Sequence, residues 1–377
     1  MSDLQVHTVA SRREWNEFIE LPYRLRAHDP AFVPPLRADL RRLLDREHHP
    51  FWREARGELF VARRGGQAVG RIAAIECPAH DRLHGGRTGF FGFLECADDL
   101  DVCAGLSHAV ESWHRSGGVS VVRGPVSPST NYECGFLVEG FGATPTLMMP
   151  CNPPFQPRLI EQLGYQKAMD LLAYVLKRDR LEQSKQEFAQ IKAKLAGRTD
   201  ASIRPLDMKH FDAELERLRF IYNDAWSENW GFVPMGADEF RVEADGLRRL
   251  AEPGFVMIAE RAGEPIAFIA AFRDVTKALM SMRGKLFSPG LLRLLYLSRH
   301  SKHLRVAIAG VVRKQRRSGI MALLYLSVME TGWQKGIVEG ELSWILETNT
   351  LMRRVVESMG AEVSRVFRIY EKALGAT

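Results

Sequence analysis

Apolar and charged positions follow one another along the chain in two similar blocks. "GELFVARRGGQAVGRIAAI" (57–75) is an apolar run, two arginines, a Gly65–Gly66 pair and a second apolar run, the pattern of a β-hairpin with a tight turn. "GFVMIAERAGEPIAFIAAF" (254–272) repeats that design. After the first hairpin, "TGFFGFLEC" (88–96) predicts a strand, and Val102, Leu106, Val110 and Trp113 fall on one face of a helix over 99–116. "VSVVRGPV" (119–126) predicts the next strand. After the second hairpin, the same logic predicts a strand at "RVAIAGVV" (305–312), a helix over 319–335 and a strand at "GELSWIL" (340–346). Each block closes with an Asn that opens a helical segment ending at a Gly: Asn152 in "NPPFQPRLIEQLGYQ" and Asn349 in "NTLMRRVVESMGAEV". This order predicts an α/β chain with two tandem copies of one unit, each a mixed central sheet flanked by helices. The charged helical stretch 178–200 is the expected linker, giving domains of 1–177 and 201–377.

Composition limits the class. A chain of 377 residues with 46% hydrophobic and 26% charged positions suits two soluble globular domains. Five cysteines, odd in number and without C-x-x-C spacing, argue for reduced thiols and against a disulfide framework or zinc knuckle. The N-terminus shows no apolar secretory segment, and no run is long and apolar enough to span a bilayer. The expected location is therefore cytoplasmic, including the inner face of the cytoplasmic membrane. No H-E-x-x-H spacing occurs, so no metal is expected.

The net charge of +6 matters less than its distribution. No acidic residue lies between Asp274 and Glu330, while that interval holds Lys277, Arg283, Lys285, Arg293, Arg299, Lys302, Arg305, Arg313, Lys314, Arg316 and Arg317. Such a field calls for an anion. Aromatic interleaving is limited to Phe287 and Tyr296, and no nucleic-acid-binding motif appears. A phosphorylated ligand or an anionic lipid surface fits better than nucleic acid. Within "KLFSPGLLRLLYLSRHSKHLR" (285–305), leucines at 291, 292, 294, 295 and 297 sit beside four basic residues, a pattern suited to a membrane interface or to covering an acyl chain.

In "GVVRKQRRSGIMALLYLSVMETGW" (310–333), a strand runs into a turn with four basic residues among 313–317, then Gly319, then a helix. Unpaired N–H groups and the helix dipole make such a start a phosphate site, and Gly allows close backbone approach. The spacing is neither a Walker loop nor G-x-G-x-x-G. It resembles the [QR]-x-x-G-x-[GA] pyrophosphate loop of the GCN5-related N-acetyltransferase (GNAT) superfamily. The resemblance implies that Arg316, Arg317, Ser318, Gly319, Ile320 and Met321 receive the pyrophosphate of acyl-coenzyme A. It also implies that Val311 and Val312 offer backbone groups to the pantetheine arm, and that Asn349 contacts that arm. Met321 departs from the small final residue of the motif, and Val356 stands where the family commonly has a Tyr that protonates the leaving thiolate.

The first copy reads "ECADDLDVC" where a phosphate loop would lie, and its carboxylates would repel a pyrophosphate. It is expected to support the fold and the acceptor side. "LPYRLRAHDPAFVPPLRADLRRLL" (21–44), "RGPVSPSTNYECGFLVEGF" (123–141) and "MMPCNPPFQPRLIEQLGYQKAMDLLAY" (148–174) resemble a bacterial family of tandem-domain acyltransferases that includes ceramide synthases. That resemblance implies N-acylation of a sphingoid base or other lipid amine by long-chain acyl-coenzyme A. An acetyltransferase of a small soluble amine and a non-catalytic coenzyme A-binding module are the alternatives. A general base is expected near the ends of the central strands. Glu347 is the first candidate and Glu341 the second; Glu95, Tyr132 and Glu133 are candidates for orienting the acceptor. No nucleophile–histidine arrangement is apparent, which favours direct attack on the thioester.

Overall fold

The computed structural model describes residues 4–179, 185–286 and 288–375, so Phe287 and part of the expected linker lie outside the described residues. The first half comprises β1 (Leu4–Thr8), α1 (Arg12–Leu25), α2 (Arg37–Leu43), β2 (Arg56–Arg64), β3 (Gln67–Glu76), α3 (Pro78–His84), β4 (Thr88–Cys96), α4 (Leu100–Ser116), β5 (Val121–Gly124), β6 (Val126–Ser127), β7 (Glu133–Cys134), β8 (Phe136–Glu139), α5 (Phe155–Gln162) and β9 (Gln166–Lys177). The second comprises α6 (Lys185–Ala196), β10 (Ser202–Pro205), α7 (Phe211–Trp226), α8 (Ala237–Arg248), β11 (Val256–Arg261), β12 (Glu264–Arg273), α9 (Thr276–Met282), α10 (Ser288–His300), β13 (His303–Val311), α11 (Ile320–Gln334), β14 (Glu339–Leu346), α12 (Thr350–Ser358) and β15 (Glu362–Ala373). Apart from the short strands β6–β8 of the first half and α6, which precedes the second, both halves thus run strand, two helices, hairpin, one or two helices, strand, helix, strand, helix and strand. Both hairpins turn through two left-handed residues, Gly65 and Gly66 in one and Ala262 and Gly263 in the other, which matches the twist of the flanking strands.

Contacts divide the chain into two compact units: Met1–Leu171 with Thr276–Leu291 and Arg365–Thr377, and Leu172–Val275 with Leu292–Ser364. The units are therefore discontinuous, unlike the linear division at 177 and 201. In the first unit the strand order is β1–β2–β3–β4–β5–β15. Only β4 and β5 are parallel, pairing from Thr88↔Val121 to Phe90↔Arg123. The C-terminal strand β15 lies antiparallel to β5, with Tyr370 opposite Gly124. The predicted face of α4 is its core face: Val102, Leu106 and Val110 are fully buried against Phe60, Ile72 and Phe91. A Cβ on Gly92 would meet the Val126 carbonyl at 2.2 Å, and one on Gly124 the Phe91 carbonyl at 2.4 Å. Glycine is required there because β4 and the β5–β6 segment press together.

In the second unit the order is β9–β14–β13–β12–β11–β10. Helix α6 is no free linker. Phe188 is buried, Lys192 pairs with Glu330 of α11, and Leu195 reaches Gly319. A second expectation also changes. Asn152 does not open a helix; its Oδ1 accepts from Leu137 N–H at 2.6 Å and its Nδ2 donates to the Leu137 carbonyl at 3.2 Å, pinning β8. Asn349 does cap α12, accepting from Met352 N–H at 3.2 Å. Both terminal helices end at a left-handed Gly, Gly164 and Gly360.

Candidate active site

Strands β13 and β14 are parallel neighbours only from His303↔Glu339 to Val306↔Leu342. Beyond that point β13 continues to Val311 paired with β12 alone, after a register shift between Ile308 and Val306. A bulge bends and twists the strand that carries it, so the two strands part and leave an opening beside the second half of β13. Val312 donates its N–H to Ile266 at 2.9 Å, and its carbonyl accepts from Gln315 at 2.8 Å. Its backbone is committed, contrary to expectation. In an antiparallel ladder the groups of the preceding residue point the other way, so Val311 presents its backbone to the opening.

The loop that follows is a tight turn over Arg313–Gln315 leading to Gly319, which is left-handed at φ +78° and starts α11. Ser318 fixes the turn: its N–H and hydroxyl both donate to the Gln315 carbonyl, and its Oγ accepts from Ile320 N–H at 3.3 Å. The first helical bond is Leu323 N–H to the Gly319 carbonyl, so Met321 and Ala322 present donors at a dipole-positive helix start. Met321 and Ile320 are buried; the bulk of Met321 turns into the core and does not fill the loop. Arg316 is a clamp. Its guanidinium donates to Glu228 at 2.6 Å and to the Ala225 carbonyl at 3.0 Å, while Arg313 binds Asp224. Lys314 and Arg317 are exposed and make no ion pair among the described residues.

Glu347, half-buried, lies just beyond β14, and its carbonyl accepts from Arg353 at 3.0 Å. Glu341 lies at the paired end of the strands, opposite Arg305. Both are buried, and Ser343 links them, accepting from Arg305 Nε at 3.0 Å and donating to Glu341 at 2.8 Å. Burial pushes the Arg305 guanidinium down to about 10, against the pull of Glu341. Glu341 is therefore committed to Arg305, and Glu347 is the more accessible of the two carboxylates. Val356 is fully buried. Tyr174 of β9, which sequence reasoning missed, donates to Glu357 at 2.7 Å and accepts from Arg353 at 3.2 Å. No local signal could have found it, because its partners lie far along the chain. An apolar pocket of about 50 Å³, open to solvent, lies beneath α11, lined among others by Leu176, Val306, Tyr325, Trp333 and Leu342.

In the first unit, Asp99 caps α4 with its own carboxylate, accepting from Asp101 and Val102 N–H and pairing with Arg64. The helix-start donors that would receive a phosphate are taken. Glu95 is buried beside Arg71, its partner across β3 and β4. Tyr132 is buried edge-on to Phe51, with ring centres 6.1 Å apart, and Glu133 is exposed.

Two parted parallel strands, a left-handed Gly at a basic helix start and a duplicated unit define a tandem GNAT-type N-acyltransferase. Among solved structures, the tandem GNAT protein of the clavulanic acid biosynthesis pathway matches over 100% of both chains with a TM-score of 0.59 at 13% identity. A probable N-acyltransferase from Enterococcus faecalis V583 matches 100% of this chain and 74% of its own, with a TM-score of 0.55 at 9% identity. No protein-family model matches. Protein YghO of Escherichia coli (strain K12) is 35% identical over 382 residues, covering 98% of this chain and 95% of that protein. Bacterial ceramide synthase of Caulobacter vibrioides is 34% identical over 380 residues, covering 99% and 98%. The chain belongs to the family of these two proteins.

Proposed function

We propose that this enzyme transfers a long-chain acyl group from acyl-coenzyme A to the amine of a lipid acceptor such as a sphingoid base. The observation that carries the donor assignment is the opening between β13 and β14 ending at the Gly319 loop. The pyrophosphate lies at the N–H groups of Met321 and Ala322, with Lys314 and Arg317 supplying charge. Val311 offers its backbone to the arm, and Asn349 stands at the start of α12 beside it. The amine attacks the thioester carbonyl directly and loses its proton to Glu347, directly or through water. The thiolate can leave unassisted, because a thiol pKa of about 8.5 lies close to neutral pH; no Tyr is needed at Val356.

The lipid acceptor is supported by the relative that bears the ceramide synthase name. It is supported also by α10, on which Leu292 is 69% and Tyr296 61% exposed beside exposed Arg293 and Arg299. An apolar edge bordered by basic groups suits an anionic membrane surface. No helix among the described residues is long and apolar enough to cross a membrane. The test is mass spectrometry of products from purified protein, palmitoyl-coenzyme A and sphinganine, with acetyl-coenzyme A as a parallel donor. N-palmitoylsphinganine is expected; acetylation alone, or no product from either donor, overturns the reading.

A further inference from the structure

Strand β14 stops at Leu346 and α12 starts at Thr350, so Glu347, Thr348 and Asn349 make the whole connection between them. Its Asn349 end is fixed by local bonds. Asn349 N–H donates to the Leu346 carbonyl at 2.9 Å, Thr350 N–H donates to the Thr348 carbonyl at 2.9 Å, and the Asn349 side chain caps the helix through Met352 N–H. The Glu347 end is fixed from outside the turn. Arg353, in α12, donates through a terminal nitrogen to the Glu347 carbonyl at 3.0 Å.

A flexible arginine alone would hold the turn loosely, but Arg353 is itself held. Its Nε donates to the Tyr174 hydroxyl at 3.2 Å, and that hydroxyl donates to Glu357 at 2.7 Å. Tyr174 is fully buried on β9, the neighbour of β14 in the second unit's sheet, which anchors the far end of the chain in the core. A phenol that gives its proton to a carboxylate is a better acceptor in turn, so Glu357 strengthens the grip of Tyr174 on Arg353. Glu357 also lies 3.7 Å from the Arg353 Nε and offsets its charge. The bond to Tyr174, and after it the charges of Glu357 and Glu347, raise the Arg353 guanidinium above its ordinary value. The result is one connected line, Glu357 to Tyr174 to Arg353 to Glu347, that runs from the core to the mouth of the parted strands. Its rotamers are settled on folding, before any substrate arrives.

We propose that Arg353 and Tyr174 are positioning residues for acyl transfer: the buried phenol fixes the guanidinium, and the guanidinium fixes Glu347 in the place from which it takes the proton of the amine. This rests on the assignment of Glu347 as the base in the function proposed above. Neither residue has to touch donor or acceptor. Because Asn349 keeps its own cap, loosening Arg353 frees the base without freeing the residue beside the donor arm. The loss therefore falls on kcat and spares coenzyme A affinity. A role confined to supporting α12 would instead move stability, donor affinity and turnover together.

The test is turnover of palmitoyl-coenzyme A with sphinganine by the full chain carrying Arg353→Gln, Arg353→Lys, Tyr174→Phe, or Arg353→Gln with Tyr174→Phe. Each is assayed at a temperature where it is folded, and coenzyme A affinity is measured by calorimetry. Arg353→Gln should lower kcat about 10–100-fold, the cost of a misplaced reacting group, and leave coenzyme A affinity unchanged. Arg353→Lys keeps the charge and one of the two bonds, so it should recover part of the loss. Tyr174→Phe should lower kcat less than Arg353→Gln does. Adding it to Arg353→Gln should cost nothing more, because links of one chain do not add. An Arg353→Gln enzyme with unchanged kcat, a loss matched by weaker coenzyme A binding, or losses that multiply in the double variant overturns the proposal. In each of those cases a Glu347→Gln enzyme without turnover leaves the base assignment standing. Normal turnover by Glu347→Gln removes that assignment, and the positioning role with it.

Discussion

Replacing Glu341 with Gln keeps the shape of the side chain and removes one charge from a place where water cannot supply another. Arg305 is 4% exposed and Glu341 5%, and Ser343 joins them. Taking one partner from a buried pair leaves an uncompensated ion, which costs about 3–5 kcal/mol. The lower end is expected, because Asp274 is a second anion acting on Arg305. For a unit of this size that loss lowers Tm by about 6–20 °C. Substituting both partners, Arg305→Met with Glu341→Gln, removes the stranded charge and should return stability to within about 1–2 kcal/mol of wild type. Thermal and urea unfolding of the three proteins, with turnover at a temperature where each is folded, decide the matter. Glu341 is here an anchor, so the double variant should regain turnover along with stability. A single variant as stable as wild type refutes the energetic argument. A double variant that is stable but inactive gives the Glu341 carboxylate a chemical role.

Gly319→Glu places a carboxylate where the pyrophosphate belongs and puts a side chain at φ +78°; it should lower coenzyme A affinity at least tenfold and cost about 1–2 kcal/mol of stability, and unchanged affinity by calorimetry removes the loop from donor binding. Glu347→Gln should lose turnover by about 10²–10⁴-fold while donor binding persists; normal turnover takes Glu347 out of the mechanism. The Glu95 carboxyl, raised to about 7 in the folded protein against about 4.3 in an unfolded chain, favours folding when protonated. That contribution is complete below about pH 4 and is lost as pH rises through about 7, amounting to about 4 kcal/mol. Glu95→Gln should flatten the decline between pH 5 and 7, measured as urea midpoints; identical slopes would show that Glu95 does not titrate there.

The hairpins, α4 and the Gly319 loop were legible because each is written locally: period-two apolar runs, a 3.6-residue face, a basic turn ending in Gly. The order of elements in the two halves followed from the same signals. What was not legible depends on partners distant in the sequence. Arg316 reads as a phosphate ligand until Glu228 and Ala225 are seen to hold it. Glu341 reads as a base until Arg305 is found opposite it in the parallel ladder. Asn152 and Asn349 occupy equivalent places in two similar motifs, yet one pins a strand and the other caps a helix. Arg71 and Glu95 look like ordinary strand residues with one charge each, and only the structure shows both buried and opposite one another across β3 and β4.

The last strand of the chain completes the first unit: β15 lies on β5, with residues 370–373 opposite 121–124. A ribosome making about 5–20 residues per second delivers that strand about 12–50 s after β5 has emerged. Until then the nascent sheet ends at β5, whose outer edge is an open invitation to any passing extended segment. Stop codons late in the reading frame, or a tag that hinders the carboxyl end, should therefore harm the beginning of the polypeptide as much as its end. Neither half can be excised as an autonomous fragment, and the copy that is translated first is the last part of the molecule to be finished.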